Sequence, residues 1–231
     1  MKLYGLQKMT LLDFPGHVAC TVFTGGCNLR CPFCHNALLV TQIDNSFVME
    51  DNEFFDFLKT RTGLLDGVCI TGGEPLLQPD IEDFIVKIKQ LGFKVKLDTN
   101  GCFLEKLKSL IEKDLLDAVA VDIKNSKEKY AKTVGVENFD VLKIEKTVEY
   151  LLSQDKVDFE FRTTVCSPLH EVEDIKKIAQ WLKGAPHYYL QNFVDSGNLI
   201  GKNIASLDKD TLNQMLKVAQ EFIPSAQIRG I

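Results

Sequence analysis

Three cysteines, Cys27, Cys31 and Cys34, lie close together in a segment that the preceding Gly25 and Gly26 predict to be a loop. Thiolates spaced by four and three residues can bind three irons of a cubane iron–sulfur cluster. The fourth iron, which has no protein ligand, is then open to a substrate or cofactor. The spacing therefore favours an iron–sulfur site of this open type.

Two other uses of these cysteines stay open at this stage. Cys31 and Cys34 have the C-x-x-C spacing of a redox dithiol, although this leaves Cys27 without a role. A structural zinc site needs a fourth ligand, and His35, adjacent to Cys34, is poorly placed to supply it. Attachment of c-type haem to Cys31, Cys34 and His35 requires export, for which residues 1–16 show no signal, and we reject it. The other cysteines are scattered through apolar segments, where we expect them to pack as small apolar side chains: Cys20, Cys69, Cys102 and Cys166.

Two glycines and an acid, Gly72, Gly73 and Glu74, follow another apolar segment. Glycine backbone allows a ligand to approach closely, and a carboxylate or carbonyl there can accept a hydrogen bond from an ammonium group. The same residues, followed by Pro75, also fit an ordinary turn from a strand into a helix. The motif is therefore a candidate binding site whose meaning depends on its neighbours.

Polar residues also follow the next two apolar segments. Asp98, Thr99 and Asn100 end one of them, and Asp122 and Lys124 end the other. Taken singly, these fit a common turn and an exposed ion pair. Because alternate residues of a strand share a face, Asp122 and Lys124 point the same way and could bind ribose hydroxyls or a carboxylate.

The elements that position these motifs alternate between strands and helices. Apolar, β-branched segments predict buried strands at 18–24, 68–71, 95–98, 118–123, 159–165 and 188–193. Helical periodicity predicts helices at 81–91, 141–151, 172–182 and 212–222. This alternation indicates an α/β fold with a parallel sheet and outer helices.

Six strand–helix units are fewer than the eight of a closed barrel. We therefore expect a partial, splayed (β/α)6 barrel in which residues 1–231 form one domain, with a doubly wound open sheet as the alternative. In both architectures ligands bind at the carboxyl ends of the strands, where the motifs above lie.

The composition excludes several classes of protein. The chain of 231 residues is 45% hydrophobic and 26% charged, with a formal net charge of -5 and no basic run, so we expect no nucleic-acid partner. No apolar stretch is long enough to span a membrane, and residues 1–16 lack the apolar core of a signal peptide. The sequence thus predicts a cytoplasmic protein that does not bind membranes.

The cysteine spacing, with Phe33 before the last cysteine and a strand before the loop, resembles that of the radical S-adenosylmethionine enzymes. The resemblance implies a 4Fe-4S cluster on Cys27, Cys31 and Cys34, with the amino and carboxylate groups of S-adenosylmethionine on the fourth iron. It also assigns the Gly72-Gly73-Glu74 motif to the methionine amino group. Further cofactor contacts implied by the resemblance fall on Phe33, His35, Asn36 and Asn100.

The later strand ends resemble those of enzymes that activate glycyl-radical enzymes. This resemblance places Asp98, Thr99 and Asp122 around the methionine end, directly or through a monovalent cation, and Lys124 on the cofactor carboxylate. The residues of the fifth and sixth strands that fall where the family closes its site are Arg162, Gln191 and Phe193. Pyruvate formate-lyase activators carry a histidine near the position of Phe193, so that contact differs here.

Residues 9–16, the Cys34-His35-Asn36 tripeptide and the length resemble the activating proteins of anaerobic ribonucleotide reductase and of pyruvate formate-lyase. The implied activity is reductive cleavage of S-adenosylmethionine, followed by hydrogen abstraction from a glycine Cα by the 5'-deoxyadenosyl radical. The implied partners are a glycyl-radical enzyme, with anaerobic ribonucleotide reductase the first choice, and a low-potential donor such as flavodoxin or ferredoxin. A radical enzyme acting on a small molecule, such as a deazapurine precursor, is the alternative. Since residues 35–68 contain no cysteine, we expect one cluster.

Overall fold

The computed structural model describes residues 1–43, 48–195 and 197–230. Its strands are β1 (Lys2–Leu3), β2 (Gly5–Thr10), β3 (Ala19–Thr24), β4 (Met49–Glu50), β5 (Gly67–Gly72), β6 (Lys94–Thr99), β7 (Ala118–Asp122), β8 (Asp158–Val165), β9 (Tyr188–Asn192) and β10 (Gln227–Arg229). Its α-helices are α1 (Ala37–Thr41), α2 (Asp51–Lys59), α3 (Ile81–Gln90), α4 (Leu104–Glu112), α5 (Tyr130–Val134), α6 (Leu142–Ser153), α7 (Val172–Trp181) and α8 (Lys209–Gln220). Within these ranges, no helix has the length and apolar character needed to span a bilayer.

One sheet of eight strands organises the protein, in the order β10-β9-β8-β7-β6-β5-β3-β2. Neighbours from β3 to β10 are parallel, whereas β2 pairs antiparallel with β3. The parallel strands follow one another in chain order, so crossovers of a single hand place their helices on one face and the sheet curves into a barrel. The doubly wound alternative is wrong, because it requires a reversal of strand order.

The barrel is incomplete. In the part of the chain that the structure describes, no backbone pairing joins the edge strands β2 and β10. The six predicted parallel strands are present, and the expectation of a partial, splayed barrel is confirmed. The prediction omitted both edge strands, because β10 has three residues and β2 lacks a buried apolar face.

The two faces of the sheet have opposite character. On β6, Val95 and Leu97 are fully buried in the apolar core with residues of the helices, while Lys96 and Asp98 alternate with them. Strand β8 repeats this pattern. The core therefore lies between the sheet and its helices, and the barrel interior carries charged side chains.

Candidate active site

The carboxyl ends of β3, β5, β6 and β7 surround a cavity of about 370 Å3. All of the residues that the sequence predicted for the site line this cavity, except Glu74 and Phe193. Side chains that line it without having been predicted are Gln7, Asp13, Thr21, Phe23, Leu29, Val40, Thr71 and Thr164. A larger cavity of about 1010 Å3 lies at the opposite ends of the strands and contains none of the predicted residues.

Backbone contacts hold the cysteine loop against the end of β5. The Glu74 N–H donates to the Gly26 carbonyl at 2.8 Å, and Asn36 Nδ2 donates to the Gly72 carbonyl at 2.9 Å. A Cβ atom on Gly73 would overlap the Gly26 carbonyl. The second glycine of the motif is therefore required by the close approach of the two loops.

The three cysteine thiols lie in a poorly solvated environment at the same cavity. Cys31 is buried, and Cys27 and Cys34 are partly buried. Burial raises the pKa of the Cys31 thiol to about 12 and raises the pKa of the other two thiols, although the Lys124 ammonium opposes these shifts. A redox dithiol needs a thiol with a low pKa, which this environment does not favour, whereas a bound metal ion deprotonates a coordinating thiol itself.

The geometry around the thiols also disfavours zinc. The His35 ring stacks on Phe193 with centroids 5.4 Å apart. No three His, Cys, Asp or Glu side chains converge on one ion within the described ranges. Each thiolate of a cubane binds a different iron, so the three thiols need not converge on one ion to hold a cluster. Phe193, which is 1% exposed, lies behind His35 rather than at the cavity surface.

Two carboxylates and two cations form a largely buried ionic network on β6, β7 and β8 and just after β7. Arg162 donates through Nη1 to Asp98 Oδ2 and through Nε to Asp122 Oδ1, both at 3.0 Å. Lys124 Nζ donates to the other Asp122 oxygen at 3.0 Å. Burial alone would raise the pKa of each carboxyl, but the neighbouring cations outweigh it and lower the pKa of Asp98 and Asp122. Both side chains are ionised at neutral pH.

The network continues into the barrel through residues that the sequence analysis missed. Lys96 Nζ donates to Asp98 Oδ1 and lies 3.8 Å from Glu160 Oε1. Glu160 accepts two hydrogen bonds from Arg229, at 2.9 and 2.8 Å. Alternation along β6 and β8 puts Lys96 and Glu160 on the face of Asp98 and Arg162, and this signal could have identified them. Alternating charge keeps these buried groups paired.

Glu74 is the one residue of the Gly72-Gly73-Glu74 motif that does not line the cavity. Its side chain is fully buried, and it accepts hydrogen bonds from the Asn100 N–H at 2.7 Å, the Thr99 hydroxyl at 2.8 Å and the Leu76 N–H at 3.1 Å. Burial raises the pKa of Glu74 to about 7 in spite of these donors. Glu74 thus connects the ends of β5 and β6 through its hydrogen bonds. The preceding Gly72 and Gly73 line the cavity.

A second layer of residues holds the segment that carries Lys124. The Lys124 N–H donates to the Tyr130 hydroxyl at 3.3 Å, and His170 Nε2 donates to the Lys124 carbonyl at 2.8 Å. The His170 ring packs edge-on against Phe33, with centroids 5.9 Å apart. Phe33 therefore connects the cysteine loop to the support of Lys124.

The connection between β2 and β3 closes one side of the cavity. Asp13 lines the cavity and accepts a hydrogen bond from the Thr21 hydroxyl, and Gln7 on β2 lies beside them. Asp13 belongs to residues 9–16, which the sequence analysis used for a resemblance but did not assign to the site.

The protein is therefore a partial barrel in which a cysteine loop after the first parallel strand and polar groups at the following strand ends share one cavity. The sequence model of the Radical SAM superfamily matches residues 21–182. The chain belongs to this superfamily.

Full-length relatives extend this match. A Methanocaldococcus jannaschii protein, provisionally named a glycyl-radical enzyme activating enzyme, is 32% identical over 98% of this chain and 95% of its own length. The pyruvate formate-lyase-activating enzyme of Listeria monocytogenes is 27% identical over 80% of this chain and 77% of its own. The structure of Streptococcus suis SuiB bound to S-adenosylmethionine is 17% identical, with a TM-score of 0.69 over 90% of this chain and 49% of SuiB. That likeness shows the shared fold.

Membership of the superfamily implies a 4Fe-4S cluster and S-adenosylmethionine, and the residues present fit both. Three thiols line one cavity, and Asn100 Nδ2 lies 3.8 Å from Cys27 Sγ, as an N–H donor to a cluster sulfur ligand does. The ionised Asp122 and the protonated Lys124 beside them match the amino and carboxylate groups of an amino acid.

Proposed function

We propose that this enzyme activates a glycyl-radical enzyme by removing hydrogen from a glycine Cα of that partner. The observation that carries the proposal is the shared cavity. Three thiols, two ionised carboxylates, Arg162 and Lys124 line one space in a barrel whose edge strands do not pair within the described residues. The class of substrate is supported by 32% identity over 95% of the Methanocaldococcus jannaschii protein that is provisionally named a glycyl-radical enzyme activating enzyme.

Each group in the cavity has a role in this proposal. Cys27, Cys31 and Cys34 hold the cluster, and Lys124 pairs with the carboxylate of S-adenosylmethionine. Asp98 and Asp122 bind the methionine end, directly or through a monovalent cation, and Arg162 keeps both ionised. When bound, the cofactors supply one-electron cleavage of the sulfonium and a primary carbon radical that accepts a hydrogen atom. No side-chain base is needed, because the proton and electron leave the glycine together.

The size of the cavity favours a substrate that arrives from outside the barrel. Its volume, about 370 Å3, is near the lower end of the 300 to 1,000 Å3 typical of small-molecule sites. The cluster and S-adenosylmethionine must share this space, which leaves little room for a second small molecule. A glycine in an extended loop needs little volume, and its radical is stabilised by the adjacent nitrogen and carbonyl.

The partner that we propose first is anaerobic ribonucleotide reductase. Residues 9–16 and the Cys34-His35-Asn36 tripeptide resemble its activators, and Phe193 stands where pyruvate formate-lyase activators carry a histidine. A low-potential protein such as flavodoxin or ferredoxin supplies the electron.

The test uses anaerobically reconstituted enzyme and candidate partners deuterated at the target glycine. We expect deuterium in the 5'-deoxyadenosine product and a glycyl electron-paramagnetic-resonance doublet that collapses towards a singlet. A partner carrying alanine at the glycine should give no label transfer. The enzyme control is Cys31→Ser, which should neither cleave the cofactor nor transfer label.

The label-transfer experiment can also contradict the proposal. If no glycyl partner donates label while a purine or pterin precursor does, the activase proposal is wrong. The small-molecule alternative then takes its place.

A further inference from the structure

A third cavity, of about 290 Å3, opens outside the proposed cofactor site. It lies between the segment that follows β6 and the first turns of α6. Its lining residues are Cys102, Phe103, Leu104, Glu105, Lys106, Lys143 and Lys146. We refer to it as the lysine-rimmed cavity.

A short path connects this cavity to a proposed cluster ligand. Asn100 Nδ2 lies 3.8 Å from Cys27 Sγ, and Asn100 Oδ1 accepts a hydrogen bond from the Cys102 N–H at 3.0 Å. One side chain therefore separates the Cys27 sulfur from the backbone that lines the cavity. Electron transfer weakens steeply with distance, so a donor must dock where the protein covering of the metal centre is thin.

The rim of the cavity is positively charged in a chain that is acidic as a whole. Lys106, Lys143 and Lys146 are exposed and outnumber the one acidic lining residue, Glu105, whereas the formal net charge of the chain is -5. None of the three lysines lies within 4.0 Å of a carboxylate in the described part of the chain. Lys106 Nζ is held at the rim by the Leu76 carbonyl, to which it donates at 2.7 Å.

The centre of the cavity is apolar, with Phe103 and Leu104 partly exposed between the lysines. An apolar centre with a polar, solvent-accessible rim is typical of a protein interface. Charged rims accelerate association with a partner of opposite charge and give weak, salt-sensitive complexes. These properties suit a carrier that must dock, deliver an electron and leave.

We propose that the lysine-rimmed cavity is the docking surface for an acidic, low-potential one-electron carrier protein. The carrier's redox group loses one electron and the metal centre beside Cys27 gains it; no bond forms or breaks. This inference rests on the proposed function, which requires such a donor, and it adds the surface and the charge by which the donor is recognised.

The test reverses the charge of the rim with Lys143→Glu combined with Lys146→Glu. Both residues are exposed near the start of α6, where glutamate is compatible with the helix dipole, so the fold should be retained. Calorimetry with reconstituted holoenzyme and purified flavodoxin should show a dissociation constant raised roughly tenfold in about 50 mM salt, with the difference shrinking in about 500 mM salt.

A matched control is available on α8, which follows β9. Lys209→Glu combined with Lys217→Glu makes the same change in net charge at exposed positions, and it should leave the affinity for flavodoxin unchanged. Cleavage of S-adenosylmethionine driven by dithionite should be the same in both double variants, because this small reductant needs no docking surface. Reduction by flavodoxin should slow in the α6 variant alone.

Two results would overturn the inference: wild-type affinity of the α6 variant for flavodoxin, or a loss of affinity for the glycyl partner in its place. Failure of the proposed function is recognised separately. With dithionite as the reductant, the enzyme would then cleave S-adenosylmethionine but accept no label from any glycyl partner. This result does not depend on the affinity for flavodoxin.

Discussion

Replacing Arg162 tests whether the ionic network holds the site together. The Arg162 side chain is 12% exposed and lies 3.0 Å from both Asp98 and Asp122. Arg162→Met keeps much of the apolar stem but leaves the buried Asp98 and the partly buried Asp122 without their shared partner. Arg162→Lys keeps the charge and loses the planar group that reaches both acids at once.

The size of the effect follows from the partners that remain. Removing one member of a buried ion pair costs about 3 to 5 kcal/mol. Asp98 still has Lys96 and Asp122 still has Lys124, so we expect the lower end, about 3 kcal/mol, for Arg162→Met. At about 2 to 4 °C per kcal/mol for a chain of this size, the midpoint of thermal unfolding should fall by about 6 to 12 °C. Arg162→Lys should lower the free energy of unfolding by about half as much as Arg162→Met.

The same substitution should change the response to acid. Lowered pKa values mean that Asp98 and Asp122 stabilise the fold above their ordinary pKa of 3.8, and that this contribution is lost as the pH falls below it. Without Arg162 the folded-state pKa values of both carboxyls rise towards 3.8 or above it, so the variant should lose less stability than wild type as the pH falls below about 3.8. Urea unfolding of reduced, metal-free protein at several pH values measures both effects. Unfolding free energies within about 0.5 kcal/mol of wild type, or an unchanged acid profile, would refute the reasoning.

Three further predictions concern single residues of the site. Cys31→Ser should abolish iron retention after anaerobic reconstitution, while Cys166→Ser, in the core, should retain wild-type iron; equal iron in both would contradict the cluster assignment. Gly73→Ala should cost about 1 to 3 kcal/mol and weaken binding of S-adenosylmethionine, because its Cβ would meet the cysteine loop. Gly92→Ala, in open space with φ of +88°, should cost about 1 to 2 kcal/mol and leave binding unchanged, and equal binding losses would show that only stability had changed. Because burial raises the pKa of Glu74 to about 7, ionisation of Glu74 opposes folding. As the pH rises from about 4.5 to 7, the free energy of unfolding of wild type should therefore fall by about 3 kcal/mol relative to that of Glu74→Gln. If the free energies of unfolding of wild type and Glu74→Gln changed equally with pH over that range, this last prediction would be wrong.

The sequence by itself determined the parallel strands and the residues at their carboxyl ends. A buried parallel strand is a short apolar run, and this pattern is local: the predicted 159–165 corresponds to Asp158–Val165, and 118–123 to Ala118–Asp122. Residues directly after such strands must gather at one end of the sheet. The cysteine spacing is also local, so Cys27, Cys31 and Cys34 could be assigned from the order of residues alone.

The tertiary structure alone decided which groups face the cavity and which support it. Glu74 follows two glycines at a strand end, but only the fold shows that its carboxylate turns towards the Asn100 N–H and away from the cavity. Phe193, expected at the cofactor, stacks on His35 and does not line the cavity. A sequence pattern gives the position of a residue along a strand, whereas the direction of a side chain after the strand ends depends on neighbouring loops.

Contacts between distant parts of the chain were likewise outside the reach of the sequence. Arg229 lies on a three-residue strand and contacts Glu160, which lies 69 residues earlier in the chain. The lysine-rimmed cavity joins Lys106 of α4 to Lys143 of α6. These pairings depend on how the sheet curves and on which helices become neighbours. No local pattern contains that information, because the curvature results from the packing of the whole barrel.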